Sequence, residues 1–149
     1  PAGSFRQPAP SQVSAARDAQ VLPPPGGLQW AWPATGQVVR LFHAGSTLAK
    51  GIDITAARGA EVRAAAAGRV VYAGSGLVGY GKLIIIKNSE QFLSAYADND
   101  AILVKEGDSV RAGDRIGSMG LGRDNRPVLH FEIRYGGKPV DPLGYLPKR

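Results

Sequence analysis

The sequence contains no cysteine, which excludes a disulfide framework and any thiolate metal site and leaves the redox compartment open. No apolar run approaches the roughly 18 residues that a membrane-crossing helix needs, and the first residues lack the charged and apolar zones of a secretion signal. As it stands, the chain is expected to be soluble, with any membrane attachment made through an anchor outside these residues. A long helical period is also missing. From Trp30 onward the apolar residues come in short groups broken by glycine. Basic residues are scattered singly, without the clustered stripe or motif of a nucleic-acid reader, so no nucleic-acid partner is expected.

What is present points to a sheet with many turns. Among 149 residues there are 20 glycines and 11 prolines, and Val, Ile and Leu lie between them in short runs, the pattern of an all-β domain. The length suits one domain and a tail. Residues 1–28 are rich in Pro, Ala and Gly and end in a Pro-Pro-Pro-Gly-Gly run, so they read as a linker, and residues 29–149 read as the domain. Within the tail Ser11 can cap a short helix, too short to be stable alone, and the tail is expected to dock on a surface, its own groove included. The net charge of +6 suits an anionic partner: lipid head groups, an acidic protein or the cell wall.

Expected strands are Gln37 to Leu41, Gly51 to Thr55, Glu61 to Ala66, Arg69 to Ala73, Lys82 to Lys87, Phe92 to Ala97 and Leu129 to Tyr135. Ile102 to Val104 and Arg115 to Met119 lie between the last two. The run Leu83, Ile84, Ile85, Ile86 reads as a strand buried on both faces. Gly59, Val62, Arg63, Ala64 followed by Arg69, Val70 is echoed by Gly107, Val110, Arg111, Ala112 followed by Arg115, Ile116. Such an echo is expected of a sheet folded over itself.

Alternation then assigns faces. Leu129, Phe131, Ile133 and Tyr135 form a core face, which leaves Val128, His130, Glu132 and Arg134 on the other. By the same rule Ser94, Tyr96 and Asp98 align, and Asp53 points away from Ile52 and Ile54. Three strands thus offer polar residues on an open face.

These blocks together resemble the LytM or lysostaphin-type metallopeptidase domain, and within it the murein hydrolase activators of the NlpD type. The resemblance runs from about Trp32 to the end. It is carried by Lys50-Gly51-Ile52-Asp53-Ile54, the segment Ala66 to Gly74, Gly79-Tyr80-Gly81, Ser94-Ala95-Tyr96-Ala97, Gly107 with Val110 and Gly113, Leu129 to Tyr135, and Asp141-Pro142 before Tyr145-Leu146-Pro147. It implies a lysostaphin-like fold of folded-over antiparallel sheets, the duplicated hybrid motif of a β-sandwich or barrel. In active members zinc is held by a histidine, an aspartate four residues later, and the second histidine of a His-x-His pair. Mapped onto this sequence, the first ligand position is Ala49, while Asp53 and His130 are kept, and the two catalytic histidine positions are Val128 and Asp98.

Two ligands cannot hold and activate a catalytic zinc, so the resemblance implies a domain without metal, cofactor or catalysis. His43, six residues before Ala49, is the alternative ligand, with solvation as its ordinary role. Asp53 and His130 then either form an ion pair pinning two strands or line a partner-binding groove, and the two readings can coexist. In the activators that groove engages a periplasmic N-acetylmuramoyl-L-alanine amidase and relieves its autoinhibition. Carried over, the partner-binding residues are Lys50, Asp53, Tyr80, Tyr96, His130 and Arg134. Each also has a plainer reading: Tyr96 covering the sheet, Tyr80 plugging a turn, Arg134 pairing with Glu132 or Asp53. Trp30 and Trp32 read as anchors of the first strand in preference to sugar-stacking platforms.

Three other functions are weighed against this. One is an active zinc endopeptidase, opposed by Ala49, Asp98 and Val128. Another is a peptidoglycan-binding module, which suits the basic charge. The last is a biotinyl or lipoyl carrier, suggested by Glu106 to Gly113 but lacking a modifiable lysine in the right turn, since Lys82 and Lys87 flank a buried run.

Overall fold

The computed structural model describes residues 28–47 and 49–149. The expected linker, apart from Leu28, and its helix and docking fall outside them. Ten strands form one antiparallel system: β1 (Gln37–Arg40), β2 (Ile52–Thr55), β3 (Glu61–Arg63), β4 (Gly68–Gly74), β5 (Lys82–Lys87), β6 (Phe92–Ile102), β7 (Ser109–Val110), β8 (Arg115–Leu121), β9 (Pro127–Tyr135) and β10 (Lys138–Val140). A short 3₁₀ turn follows at Pro142–Gly144, with the Asp141 carboxylate accepting from the Leu143 amide. The all-β, folded-over antiparallel architecture expected from the sequence is the one observed.

The folding over happens in β6. Its first half pairs with β9, from Phe92 opposite Tyr135 to Ala97 opposite His130, and its second half pairs with β8, from Asn99 opposite Met119 onward. Asp98, between the two registers, has a φ of 67°. A left-handed residue inside a strand bends it and lets it leave one partner for another, and aspartate tolerates that conformation better than most residues. Of the expected separate strand at Ile102 to Val104, only Ile102 lies in a strand, as the last residue of β6. The echoed segments meet each other: Val70 donates to Asp108 O and accepts from Gly107 N, while Ala64 donates to Asp114 O and accepts from Gly113 N.

Register decides which side chains form the core, because directly opposed residues share a face. Ile52 opposes Phe131, Ile54 opposes Leu129, and Tyr96 opposes both Phe131 and Ile84. All of these are fully buried, with Ile86, Ile116, Met119 and Ile133 around them. Leu83 is buried on the opposite side of β5, against Ala95, Ala97, Tyr72 and Tyr80. The isoleucine run is thus covered on both faces, as its composition implied.

Tyr96 corrects the sequence reading: it is not on the open face. The Ala65 amide donates to its hydroxyl at 2.8 Å, and Ser94 Oγ lies 2.9 Å from that oxygen. Burial pushes its pKa up to about 12. The even spacing of Ser94, Tyr96 and Asp98 misleads because the bend at Asp98 interrupts the alternation. Tyr96→Phe should strand a buried amide and cost about 1–3 kcal/mol, read as a lower urea midpoint, with partner binding at the folded domain unchanged.

The segment Trp30 to Gly36 is stitched to the last residues of the sequence. Trp30 is buried against Phe92 and Tyr145. Trp32 donates to Pro147 O, and the Arg149 guanidinium stacks over its ring at 3.7 Å while donating to Ala34 O and Gly36 O. Both tryptophans anchor the start of the domain, as expected. Lys82 and Lys87 begin and end β5, and neither occupies a hairpin tip.

Candidate functional site

The outer face of the sheet carries a groove of about 410 Å³, lined by β1, β2 and β9 and by the loops around Thr47 to Lys50, Val78 to Tyr80 and Gly122 to Arg126. Its floor is a cross-strand row: Arg40 opposes Asp53, Asp53 opposes His130, and His130 opposes Ala97. Opposed residues on one face sit close enough for side chains to bond. Gly51 makes the approach of β2 to β9 possible, since a Cβ there would lie 2.1 Å from Phe131 O.

His130 is held at both ends. Its Nδ1 lies 2.7 Å from Asp53 Oδ1 and its Nε2 lies 2.7 Å from Glu132 Oε2. Burial alone would lower the pKa of this imidazole, but the two hydrogen bonds and the two negative charges outweigh it and lift the value to about 9. At neutral pH the ring is an imidazolium donating from both nitrogens. Glu132, only 1% exposed, also accepts from Arg134 Nε at 2.9 Å and Nη2 at 2.8 Å and from the Tyr80 hydroxyl at 3.1 Å. Burial would raise its pKa, yet the hydrogen bonds and charges of His130 and Arg134 bring it down to about 2. Arg134 Nη2 further donates to the Tyr80 oxygen. Arg40 closes the far end, 3.4 Å from Asp53 Oδ2.

The structure therefore brings Asp53, Tyr80, His130 and Arg134 into one network, puts Lys50 on the groove wall beside it, and sends Tyr96 to the core. Among the described residues the Lys50 ammonium has no ion-pair partner. Asp98 and Val128 both line the groove, whereas Ala49 is buried behind it and His43 is exposed away from it. Asp98 is half-buried between Gly81 and Gly122, and burial raises its pKa to about 6. Asp53 pushes the same way, while His130 and Arg123 pull it down.

Glu132 is the centre of this network, which sequence reasoning missed. Alternation placed it on the open face, but its burial comes from the β4–β5 loop that brings Tyr80 over it. Its one sequence signal is its position two residues from both His130 and Arg134.

A zinc ion does not fit these residues. A structural or catalytic zinc takes at least three protein ligands, and among the described residues no three histidine, cysteine or carboxylate side chains cluster to hold one. Asp53 and His130 bond directly to each other, so each occupies an atom of the other that could ligate a metal. The Glu132–His130 contact is the carboxylate–histidine pairing usually found behind a metal ligand, here backing an imidazolium.

The chain is 50% identical over 120 residues to the lipoprotein NlpD/LppB homolog of Pseudomonas aeruginosa, covering 80% of this chain and 40% of that protein. It is 52% identical over 120 residues to the murein hydrolase activator NlpD of Salmonella dublin, covering 80% of this chain and 32% of that protein. The chain thus spans two fifths or less of these curated relatives. Among solved structures, the antimicrobial peptidase lysostaphin from Staphylococcus simulans superposes with a TM-score of 0.67 at 26% identity, covering 74% of this chain and 48% of that one. The profile of Peptidase family M23 matches residues 47–142. That span runs from the loop before β2 to the turn after β10 and takes in nearly the whole sheet and every groove residue except Val39 and Arg40, so the chain belongs to peptidase family M23.

Proposed function

We propose that this domain is a non-catalytic binding module that activates a separate peptidoglycan hydrolase, an N-acetylmuramoyl-L-alanine amidase of the periplasm, by engaging it through the groove. The observation that carries the reading is the doubly held His130. The side chain that would ligate and activate zinc in a working peptidase is instead a charged cross-link between Asp53 and Glu132. Ala49 and Val128, at positions where active members carry histidine, supply no replacement ligand, since a methyl and an isopropyl group have no lone pair, and Asp98, the third such position, offers a carboxylate but no imidazole. The activator and lipoprotein names of relatives near 50% identity support both the role and an envelope location.

The mechanism is a shift of population. A partner that alternates between a blocked and an open state is activated only by the difference in the groove's affinity for the two. The network suits this task, because its internal bonds hold Tyr80 and Arg134 in place before binding and so lower the ordering cost. Tyrosine and arginine are favoured at such contacts for their large area and directional hydrogen bonds.

The test is release of dye from labelled cell wall by the amidase, with and without this chain. The expected result is stimulation by the wild type, and loss of about ten-fold or more with Lys50→Glu, Tyr80→Ala and Arg134→Ala. Soluble wall fragments released by the chain alone would instead make it an enzyme.

A further inference from the structure

Two features of the groove are not used by the charged network. The first is apolar: Val78 is 98% exposed at the tip of the β4–β5 loop and Val39 is 60% exposed on β1, and both line the groove. Leu77 (45%) and Leu41 (54%), near them in sequence, are exposed as well. The sheet order places these lips on either side of the floor, since β1 lies beyond β2 while β5 and β4 lie beyond β6. Isolated exposed valines are ordinary, but two facing apolar edges over one groove are the arrangement of an interaction site.

The Val78 lip is also built to stay out. The Tyr72 hydroxyl accepts from Gly76 N at 2.8 Å, Tyr80 N donates to Leu77 O, and Tyr80 O accepts from Asp98 N at 3.0 Å. The phenol end of Tyr80 is occupied by Glu132 and Arg134. With its hydroxyl thus satisfied, Tyr80 also positions the loop, and Val78 is the fully exposed side chain at its tip.

The second feature is charge. Arg40, Asp53, His130, Glu132 and Arg134 pair among themselves and, with His130 protonated, leave one positive charge over, whereas Lys50 has no ion-pair partner among the described residues. Asp124 is engaged, loosely, by Arg126. Asp98 faces His130 and Arg123. The charge left to offer is positive, in a chain of net +6.

We propose that the groove takes a segment of a protein partner that sets apolar side chains against the Val78 and Val39 lips and a carboxylate on Lys50. This rests on the partner-binding reading above and names the chemistry of the segment that fits. Apolar contact supplies affinity and the lysine supplies orientation and a salt-sensitive encounter.

The experiment is calorimetric titration of the purified chain against the amidase, for wild type, Val78→Ser, Val39→Ser, Lys50→Glu and Arg134→Ala. Each valine variant is expected to weaken binding about ten-fold with an unchanged melting temperature, because both side chains are solvent-exposed in the free domain. Added salt should weaken wild-type binding and leave Lys50→Glu much less affected. Retention of full affinity by both valine variants while Lys50→Glu and Arg134→Ala lose it overturns the lips and leaves the groove reading standing. No binding by the wild type removes the groove reading itself. A parallel arm uses phosphatidylglycerol vesicles in place of the amidase. Sedimentation with vesicles that depends on Val78, without amidase binding, overturns the protein partner in favour of a membrane surface.

Discussion

Glu132→Ala should destabilise the domain by about 3–5 kcal/mol, the loss expected when one member of a buried charged network is removed and its partners are left unpaired. Four donor contacts converge on this carboxylate, from His130, from two nitrogens of Arg134 and from Tyr80. Taking it away leaves an imidazolium and a guanidinium beside the apolar row of Tyr72, Ile85 and Ala95 that runs across the sheet to Glu132. For a domain of this size that loss is a fall in melting temperature on the order of 10–20 °C. Glu132→Gln keeps the shape but offers one carbonyl to donors on both sides, so its amide must face either His130 or Arg134, and an intermediate loss is expected. Chemical denaturation measures both. A Glu132→Ala domain as stable as the wild type would mean that the network contributes nothing net, and the preorganisation argument for the groove would go with it.

The second large effect is on the pH dependence of stability. His130 titrates at about 9 in the folded domain against 6.5 for a free histidine, so folding favours its protonated form. The stability from this group is complete below 6.5 and is lost as pH rises through 9. Asp98, raised from 3.8 to about 6 by burial, adds a loss of the same sign between those values. Glu132 works in the opposite sense: lowered from 4.5 to about 2, its contribution is present above 4.5 and disappears as pH falls toward 2. The groups facing His130 are Asp53 from β2, Glu132 from β9, Asp98 from β6 and the Tyr80 ring from the β4–β5 loop.

Unfolding free energy should therefore peak in mildly acid solution and decline between about pH 6.5 and about pH 9. His130→Gln should remove most of that alkaline decline while lowering the peak. An alkaline limb of equal slope in the His130→Gln domain would show that the imidazolium is not its source. Nitrogen chemical shifts of the His130 ring, read by NMR near neutral pH, give an independent check on double protonation.

Much of the fold is legible in one dimension because its causes are local. Glycine at positive φ, as at Gly59, Gly107 and Gly113, marks turns that other residues rarely make. The isoleucine run of β5 signals two covered faces, and the alternation from Leu129 assigns a core face correctly as far as Ile133, while Tyr135, expected on the same face at the end of β9, is 42% exposed. The groove is legible in part for the same reason: Asp53, His130 and Arg134 lie on regular stretches of β2 and β9, where spacing determines side. Tyr96 fails that test because spacing groups its face with Asp98, which lies past the point where β6 leaves β9, whereas Tyr96 lies before it, opposite Phe131. Glu132 escapes notice because what buries it is a loop fifty residues away in sequence.

By itself, then, the sequence determined the all-β class and most strand positions, and through the family resemblance it implied Ala49, Val128 and Asp98 at histidine positions and the pairing of Asp53 with His130 as one of two readings. Only the tertiary structure decided that Tyr96 is core, that Glu132 is the hub of the network, and that Val39 and Val78 face one groove. The division has a physical origin. Side-chain type and strand period are properties of neighbours along the chain, whereas burial, register and the convergence of charges depend on which distant segments come to lie across from each other.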